Sequence, residues 1–179
     1  MKRTFFSLAL LLAVATLTAQ TKMTAREAAV KIADRILAST TYEFKNTKTG
    51  EIYKSVKKLP LDMDVKVACK YNNWHYTNGV TNMALMELGD KLGDKKYEKY
   101  VLKNMNFVFN EGNLDFFRKQ YDEAFKRDGW NAVRKLSWHM IFRGKRLDDN
   151  GPMGASLIEL QLSILMIHFW VTLMRLPNI

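Results

Sequence analysis

The sequence predicts an all-α protein, and three observations lead to that prediction. Apolar residues recur at spacings of three and four along most of the chain after residue 24, as they do on the buried face of a helix. Segments that alternate apolar and polar residues are almost absent, and so is a Gly-rich phosphate-binding loop. The length of 179 residues fits one domain or part of a larger one.

The first predicted helix covers residues 25–39. Thr24 is followed three residues later by Glu27, which is the spacing of a capping box, in which two otherwise unbonded backbone donors are paired by side chains. Behind this start, apolar pairs recur at helical spacing: Ala28/Ala29, Ile32/Ala33 and Ile36/Leu37.

A β-hairpin is predicted after the first helix. The turn-forming run at residues 46–50 separates two short aromatic segments, Tyr42/Phe44 and Ile52/Tyr53. Two such segments around an Asn- and Gly-containing turn are typical of paired strands.

Four further helices are predicted at about residues 77–91, 94–109, 114–127 and 129–143. Gly and Asp in the run "LGDKLGD" provide the stop and restart between the first two. The predicted inner faces are Val80, Met83 and Leu88; Tyr97, Tyr100, Val101, Met105 and Val108; Phe116, Phe117, Tyr121 and Phe125; and Val133, Leu136, Ser137, Met140 and Ile141.

Composition argues against several classes of function. The chain carries 28 Lys and Arg against 18 Asp and Glu, a net charge of +10. These basic residues are scattered and follow no nucleic-acid-binding motif, so we expect a solvated basic surface and no nucleic-acid partner. The single Cys69 cannot form an internal disulfide or a Cys-based metal site. His75, His139 and His168 are too dispersed to predict a metal site.

Residues 1–20 have the pattern of a signal peptide. Lys2 and Arg3 form a positive start, an apolar run follows from Phe5 to Leu17, and Thr18-Ala19-Gln20 gives a cleavage edge. The run is shorter than the roughly 20 residues of a membrane span. We therefore expect an exported, periplasmic protein without a stable membrane span.

The aromatic cluster Trp74, His75 and Tyr76 is a candidate binding element. Aromatic faces pack against the apolar faces of sugar rings, while the Tyr hydroxyl and Trp N–H make directional hydrogen bonds. The alternative is a helix entry whose aromatic rings close the core.

Asp148 and Asp149 form an adjacent acidic pair before Asn-Gly-Pro. Asp149 or Asn150 would suit a helix N-cap and Pro152 the first turn, but a cap accounts for one acid only. Adjacent carboxylates in a cleft raise one pKa and so keep a proton available near neutrality. A helix N-terminus favours the anion instead, so the direction of the pKa shift stays open.

Three segments together resemble a known enzyme group. "WHYTNGVTNMALMEL", "KYEKYVLKNMNFVF" and "RLDDNGPMGASLIEL" are similar, in order and spacing, to the unsaturated glucuronyl and rhamnogalacturonyl hydrolases of glycoside hydrolase families 88 and 105. The resemblance implies an (α/α)6 barrel, or six-hairpin toroid, of which residues 21–160 would form the N-terminal helices only.

The resemblance also implies a reaction and a partner. Such enzymes take an unsaturated uronyl oligosaccharide left by a polysaccharide lyase. An Asp protonates C4 of the terminal C4=C5 double bond and activates the water that adds at C5, after which the hemiketal opens. No metal or organic cofactor is implied. The sequence does not decide between glucuronyl and rhamnogalacturonyl linkages, or the oligomeric state.

Site residues follow from the matched segments. Asp149 resembles an aspartate that lines the sugar site and assists the main acid, and Asp148 beside it is the second catalytic candidate. Trp74 and Tyr76, with His75 between them, match the aromatic motif that contacts substrate. His139 and Arg146 have no match in the family and are suggested as partners for the uronate carboxylate, which Arg binds bidentately.

The chain departs from the family after residue 160. The family's main proton donor lies in a Trp-x-Asp-Asp-x-Phe-Met-like segment that is missing here. Residues 161–179, "QLSILMIHFWVTLMRLPNI", form an apolar tail instead, which predicts a frameshift or misassigned gene end and little activity. The alternatives are a naturally short protein, a non-catalytic exported module that binds acidic glycans, and a helical-repeat scaffold, for which no fixed repeat is found.

Overall fold

The computed structural model describes residues 23–144 and 147–160. Within these ranges the protein is mostly helical, as predicted, and it also has a small three-stranded sheet, of which the sequence predicted the hairpin but not the third strand. The predicted signal peptide, the apolar tail and Arg146 lie outside the described residues. The elements in chain order are α1 (Ala25–Ser39), β1 (Phe44–Asn46), β2 (Ile52–Tyr53), β3 (Val65–Val67), the 3-10 helix Lys70–Asn72, α2 (Tyr76–Leu92), α3 (Lys96–Val108), α4 (Glu111–Val133), α5 (His139–Arg143) and α6 (Leu147–Glu159).

Helix α1 begins at the predicted capping box. The backbone N–H of Thr24 donates to Glu27 Oε2 at 2.8 Å, and the N–H of Glu27 donates to Thr24 Oγ1 at 3.2 Å. The chain divides into two compact units inside this helix, between Ile32 and Ala33. The capping box belongs to the first unit, and every element after α1 belongs to the second.

The sheet has the strand order β2-β1-β3, and both pairs are antiparallel. Phe44 lies opposite Tyr53 in the predicted hairpin and opposite Val67 in the second pair. Strand β3 was not predicted because three residues are too few to show a period of two. Gln120 of α4 fixes it to the helices, since its buried Nε2 donates to the carbonyl of Val65 at 2.9 Å.

Helix α2 lies where it was predicted, but of its predicted inner face only Leu88 packs against the hydrophobic core. Val80 is 54% exposed and Met83 37% exposed. The buried face consists of small and polar residues together with two larger apolar ones: Asn78, Gly79, Asn82, Leu85, Met86 and Gly89. Gly79 on this face lies against Pro152 and Met153 of α6. Apolar periodicity does not reveal such a face, because glycine and asparagine carry no hydrophobic signal.

The structure confirms the predicted position of helix α3 and its predicted inner face. All five residues of that face are buried: Tyr97, Tyr100, Val101, Met105 and Val108. Part of this face joins Ala33 of α1 and Leu85 of α2 in one hydrophobic cluster. Met105 and Val108 belong to the main core instead.

The break predicted between the helices at 114–127 and 129–143 is present within α4, because Asp128 and Gly129 have non-helical backbone angles. Gly129 adopts φ 51° and ψ −136° there. The outer boundaries differ, since α4 begins at Glu111 and its part after the kink ends at Val133. Helix α5 begins only at His139, because Trp138 has a left-handed backbone with φ 58°. A non-glycine residue in this region costs roughly 1–2 kcal/mol. Burial of the whole indole, with Nε1 donating to the carbonyl of Asn72 at 2.8 Å, offsets that cost.

The main core brings residues from the sheet together with residues from helices α3 to α6. Aromatic rings dominate it, and the closest pair is Phe117 and Trp138, whose centroids are 4.6 Å apart. Predicted Phe125 lies outside this core and is exposed. Among the residues that the structure describes, no helix is both long and apolar enough to cross a membrane.

Candidate functional site

The site is built around a contact between the loop before α2 and the first part of α6. Trp74, 2% exposed, donates its indole N–H to Asn150 Oδ1 at 2.6 Å. Asn150 in turn donates Nδ2 to the carbonyl of Met140 at 3.5 Å. The Trp74 ring also meets Phe109 edge-on, with centroids 5.6 Å apart. The aromatic segment and the acidic segment, distant in sequence, therefore adjoin in space.

The backbones of α2 and α6 come very close beside this contact. A Cβ on Gly79 would lie 2.4 Å from the carbonyl carbon of Pro152 and 2.5 Å from the backbone nitrogen of Met153. No side chain fits that space. Glycine is therefore required in the "TNGV" segment for the two helices to meet.

The three predicted aromatic residues have different surroundings. Trp74 is a core residue in this structure, whereas Tyr76 is 47% exposed. His75 is the N-cap of α2, and its Nδ1 accepts the backbone N–H of Thr77 at 3.4 Å. The rings of His75 and Tyr76 lie 4.7 Å apart. Of this group, Tyr76 presents the ring face that a sugar could reach most easily.

The acidic pair lies inside α6 rather than ahead of it. The prediction of Asp149 or Asn150 as an N-cap is wrong, because the helix as described already includes Leu147 and Asp148. Asn150 uses its side chain on Trp74 instead of on the helix end. Asp148 is exposed. The side chain of Asp149 and the whole of Arg146 lie outside the described residues.

His139 lies beside residues that the sequence analysis did not select. Its Nδ1 is 2.7 Å from the carbonyl oxygen of Leu136, and its ring meets Trp130 edge-on at 5.6 Å. One helical turn later, the guanidinium carbon of Arg143 lies 3.8 Å from the centroid of the same Trp130 ring. The sequence signal for Arg143 is its spacing of four from His139, which places both on one helix face.

A separate cavity of about 630 Å³ contains none of the predicted site residues. Its wall includes the ion pair of Lys126 with Glu123 at 3.0 Å. Its lining residues are Leu61, Asp62, Met63, Glu123, Lys126 and Arg127. Within residues 23–144 and 147–160, no three His, Cys, Asp or Glu side chains converge where they could hold a metal ion.

No protein-family model matches the chain, and neither a curated protein nor a solved structure matches it. The candidate site consists of a buried tryptophan bound to Asn150, an exposed tyrosine beside it, and an acidic pair in the first turn of α6.

Proposed function

We propose that the chain is the N-terminal part of a hydrolase that removes the terminal C4=C5 unsaturated uronic acid from lyase-generated oligosaccharides. One observation carries the proposal: the Trp74–Asn150 hydrogen bond of 2.6 Å. It joins two of the three segments that resemble the hydrolase family, at "WHYTNG" and "DDNGPM". Two segments that contribute to a single sugar site must adjoin, and these do.

The proposed architecture is an incomplete (α/α)6 toroid. It is supported by the helical hairpin of α2 and α3, which the three residues 93–95 connect, since a connection this short joins antiparallel neighbours. It is also supported by the close approach of α2 and α6 at Gly79. A toroid of this kind builds its site from residues at the ends of neighbouring helices.

In the proposed mechanism, Asp149 transfers protons at the double bond. Its carboxyl group would assist protonation of C4 and activation of the water that attacks C5. Asp148, which precedes it and is exposed, would supply the neighbouring charge. Tyr76 would pack its exposed ring against the sugar. The main acid of the family belongs to a Trp-x-Asp-Asp-type segment that none of these 179 residues matches, so the test measures binding as well as turnover.

The test compares an unsaturated digalacturonide with its saturated counterpart on the full chain. Titration calorimetry measures both affinities, and ultraviolet absorption of the C4=C5 bond follows turnover. We expect the unsaturated sugar to bind about tenfold more tightly, a difference of about 1.4 kcal/mol. D149N should remove that preference and any residual turnover. D90N, at an exposed acid near the other end of α2, is the matched control and should change neither.

Two outcomes contradict the proposal in different ways. Equal affinity for both sugars, unchanged in D149N, would mean a non-catalytic module that binds acidic glycans. Absence of binding to either sugar would exclude both functions.

A further inference from the structure

Arg143 has an environment that is unusual for a partly buried cation. Its guanidinium carbon lies 3.8 Å from the centroid of Trp130, close enough for a cation–π contact. Its Nη1 is buried and has no hydrogen-bond partner. In the described part of the chain, no carboxylate forms an ion pair with it. A buried charged donor without an acceptor is costly, so this group is usually paired in proteins.

Arg118 provides the comparison within the same region. Its guanidinium also lies over an aromatic ring, Phe142, at 5.6 Å. Unlike Arg143, it has a carboxylate nearby, because its Nε is 3.6 Å from Asp122 Oδ2. Burial raises the pKa of the Tyr121 phenol, while the positive charges of Arg143 and, less strongly, Arg118 act to lower it. Both guanidinium charges therefore act on the same phenol, and Asp122 pairs with Arg118.

Two glycines with positive φ are the chain neighbours of Trp130 and Arg143. Gly129, with φ 51°, kinks α4 directly before Trp130. Gly144, with φ 61°, ends α5 directly after Arg143. His139, four residues before Arg143 on α5, meets the edge of the same indole. Trp130 therefore contacts an imidazole and a guanidinium from one short helix.

We propose that Arg143, stacked on Trp130 beside His139, binds the carboxylate of an acidic sugar. This assigns to Arg143 the role that the sequence suggested for Arg146, and the identity of the ligand rests on the proposed function.

The chemistry of the three side chains favours a carboxylate. A guanidinium that stacks on a ring keeps its N–H groups in its own plane, where they form a fork that matches two carboxylate oxygens. The indole fixes the orientation of that fork, so less rotamer freedom is lost on binding. His139 lies on the same helix face, and its ring meets the edge of the same indole. The terminal uronic acid of the proposed substrate carries such a carboxylate.

The test measures the affinity of the full chain for an unsaturated digalacturonide by titration calorimetry. R143Q should weaken binding at least about tenfold, the effect of losing a charge-assisted hydrogen bond. R143K should give an intermediate loss, because lysine keeps the charge but lacks the fork. R118Q is the matched control and should change affinity less than about twofold. The methyl ester of the same sugar should bind wild type and R143Q equally.

A structural role for Arg143 would be visible in a second measurement. If Arg143 mainly supports the fold, R143Q will unfold at a clearly lower temperature. We expect its midpoint to stay within about 2 °C of wild type, because the substitution also removes a buried unpaired donor. In the ¹⁵N spectrum of wild type, the Nε–H resonance of Arg143 should move on addition of the sugar.

The outcomes separate this inference from the proposed function. If wild type prefers the unsaturated sugar but R143Q binds it as R118Q does, the role of Arg143 is wrong and the function stands. If wild type shows no preference for the double bond but loses affinity for galacturonate oligomers in R143Q, the carboxylate site stands and the function is wrong. If wild type binds no carboxylate sugar, both are wrong.

Discussion

Trp74 and Asn150 are 76 positions apart in the chain and share a hydrogen bond of 2.6 Å between indole Nε1 and amide Oδ1. The tryptophan belongs to the loop before α2 and the asparagine to α6. The bond therefore fixes where α6, with its acidic pair, lies against the aromatic segment. Any ligand that contacts both segments depends on this arrangement.

The energy of this hydrogen bond can be measured with a double-mutant cycle. Trp74→Phe and Asn150→Ala should each lower the free energy of unfolding, by about 1–3 kcal/mol, because a buried polar group loses its bond. Urea denaturation of both single variants and of the double variant gives the coupling. We expect about 1 kcal/mol.

The control pair for this cycle is Trp74→Phe with Asn110→Ala, since Asn110 caps α4 through the N–H of Asn113 and forms no bond with Trp74. That pair should be additive. Additive effects of Trp74→Phe and Asn150→Ala would show that the hydrogen bond contributes nothing to stability.

Gly79→Ala should disrupt the contact between α2 and α6. The new Cβ would lie 2.4 Å and 2.5 Å from backbone atoms of Pro152 and Met153, and the backbone cannot yield as a flexible side chain can. We expect a loss of about 3 kcal/mol in unfolding free energy, measured by chemical denaturation.

The matched control for Gly79 is Gly112→Ala. In α4 the nearest atom to a Cβ on Gly112 is Asn110 Oδ1 at 3.5 Å, an ordinary contact distance. Alanine is the better helix former, so this substitution should be neutral or stabilising by up to about 1 kcal/mol. Equal effects at the two glycines would contradict the close approach of the helices.

The sequence predicted the inner face of a helix correctly where the buried residues are apolar, and incorrectly where most of them are small or polar. Helix α3 was predicted correctly because its buried face is wholly apolar apart from Asn104. The buried face of α2 is rich in glycine and asparagine. Their roles depend on tertiary contacts, such as the approach of α6 to Gly79 and the hydrogen bonds from Asn78 to the carbonyls of Lys70 and Asn73. Trp138 interrupts the last predicted helix because a contact with Asn72, 66 positions away, outweighs its local backbone preference.

The candidate site also depends on contacts between residues that are far apart in the sequence, so only part of it could be predicted. The sequence selected Trp74, Tyr76 and the acidic pair by residue type and spacing. It could not select Asn150 as the partner of Trp74, or Arg143 as the residue over Trp130, because both depend on tertiary contacts. It also predicted the start of α6 at least three or four residues too late, since Asn-Gly-Pro is typical of a helix start: a cap at Asp149 or Asn150 puts the first helical residue at 150 or 151, whereas α6 includes Leu147.

Asp34 should give the protein a small, pH-dependent contribution to stability. Lys96 Nζ lies 2.9 Å from Asp34 Oδ1, and Tyr97 donates its hydroxyl to the same atom at 2.9 Å. Lys96 first, and Tyr97 second, hold the pKa of Asp34 below its ordinary value. Because the folded-state pKa is lowered, the contribution is present above the unfolded pKa of about 4 and is lost as the pH falls through the folded value.

Asp34→Asn should therefore lower stability at pH 7 by less than about 1 kcal/mol, since the carboxylate is half exposed and screened. The difference between the variant and wild type should shrink when denaturation is repeated at about pH 3. Asp90→Asn should show no such change, because none of the ion pairs found between described residues involves Asp90. A difference for Asp34→Asn that is the same at both pH values would exclude the ion pair as its cause.

Replacing Gln120 with a charged residue should lower the free energy of unfolding more than replacing it with an apolar residue of similar volume. Its side chain is 0% exposed, and Nε2 donates to the carbonyls of Val65 and Asp62, which fixes β3 and the preceding loop to α4. Q120M keeps the volume but removes both hydrogen bonds, so it should cost about 1–3 kcal/mol at any pH. Q120E places a carboxylate beside two carbonyl oxygens, and we expect a cost of at least about 3 kcal/mol at pH 7.

The pH dependence distinguishes the two Gln120 variants. Burial would raise the pKa of the introduced carboxyl group in the folded state. Its protonated form is then favoured by folding, so Q120E should recover stability as the pH falls to about 4 and lose it as the pH rises. Q120M should follow wild type over the same range. If Q120E and Q120M are equally stable at pH 7, water reaches the side chain at position 120 and the introduced carboxylate is not buried.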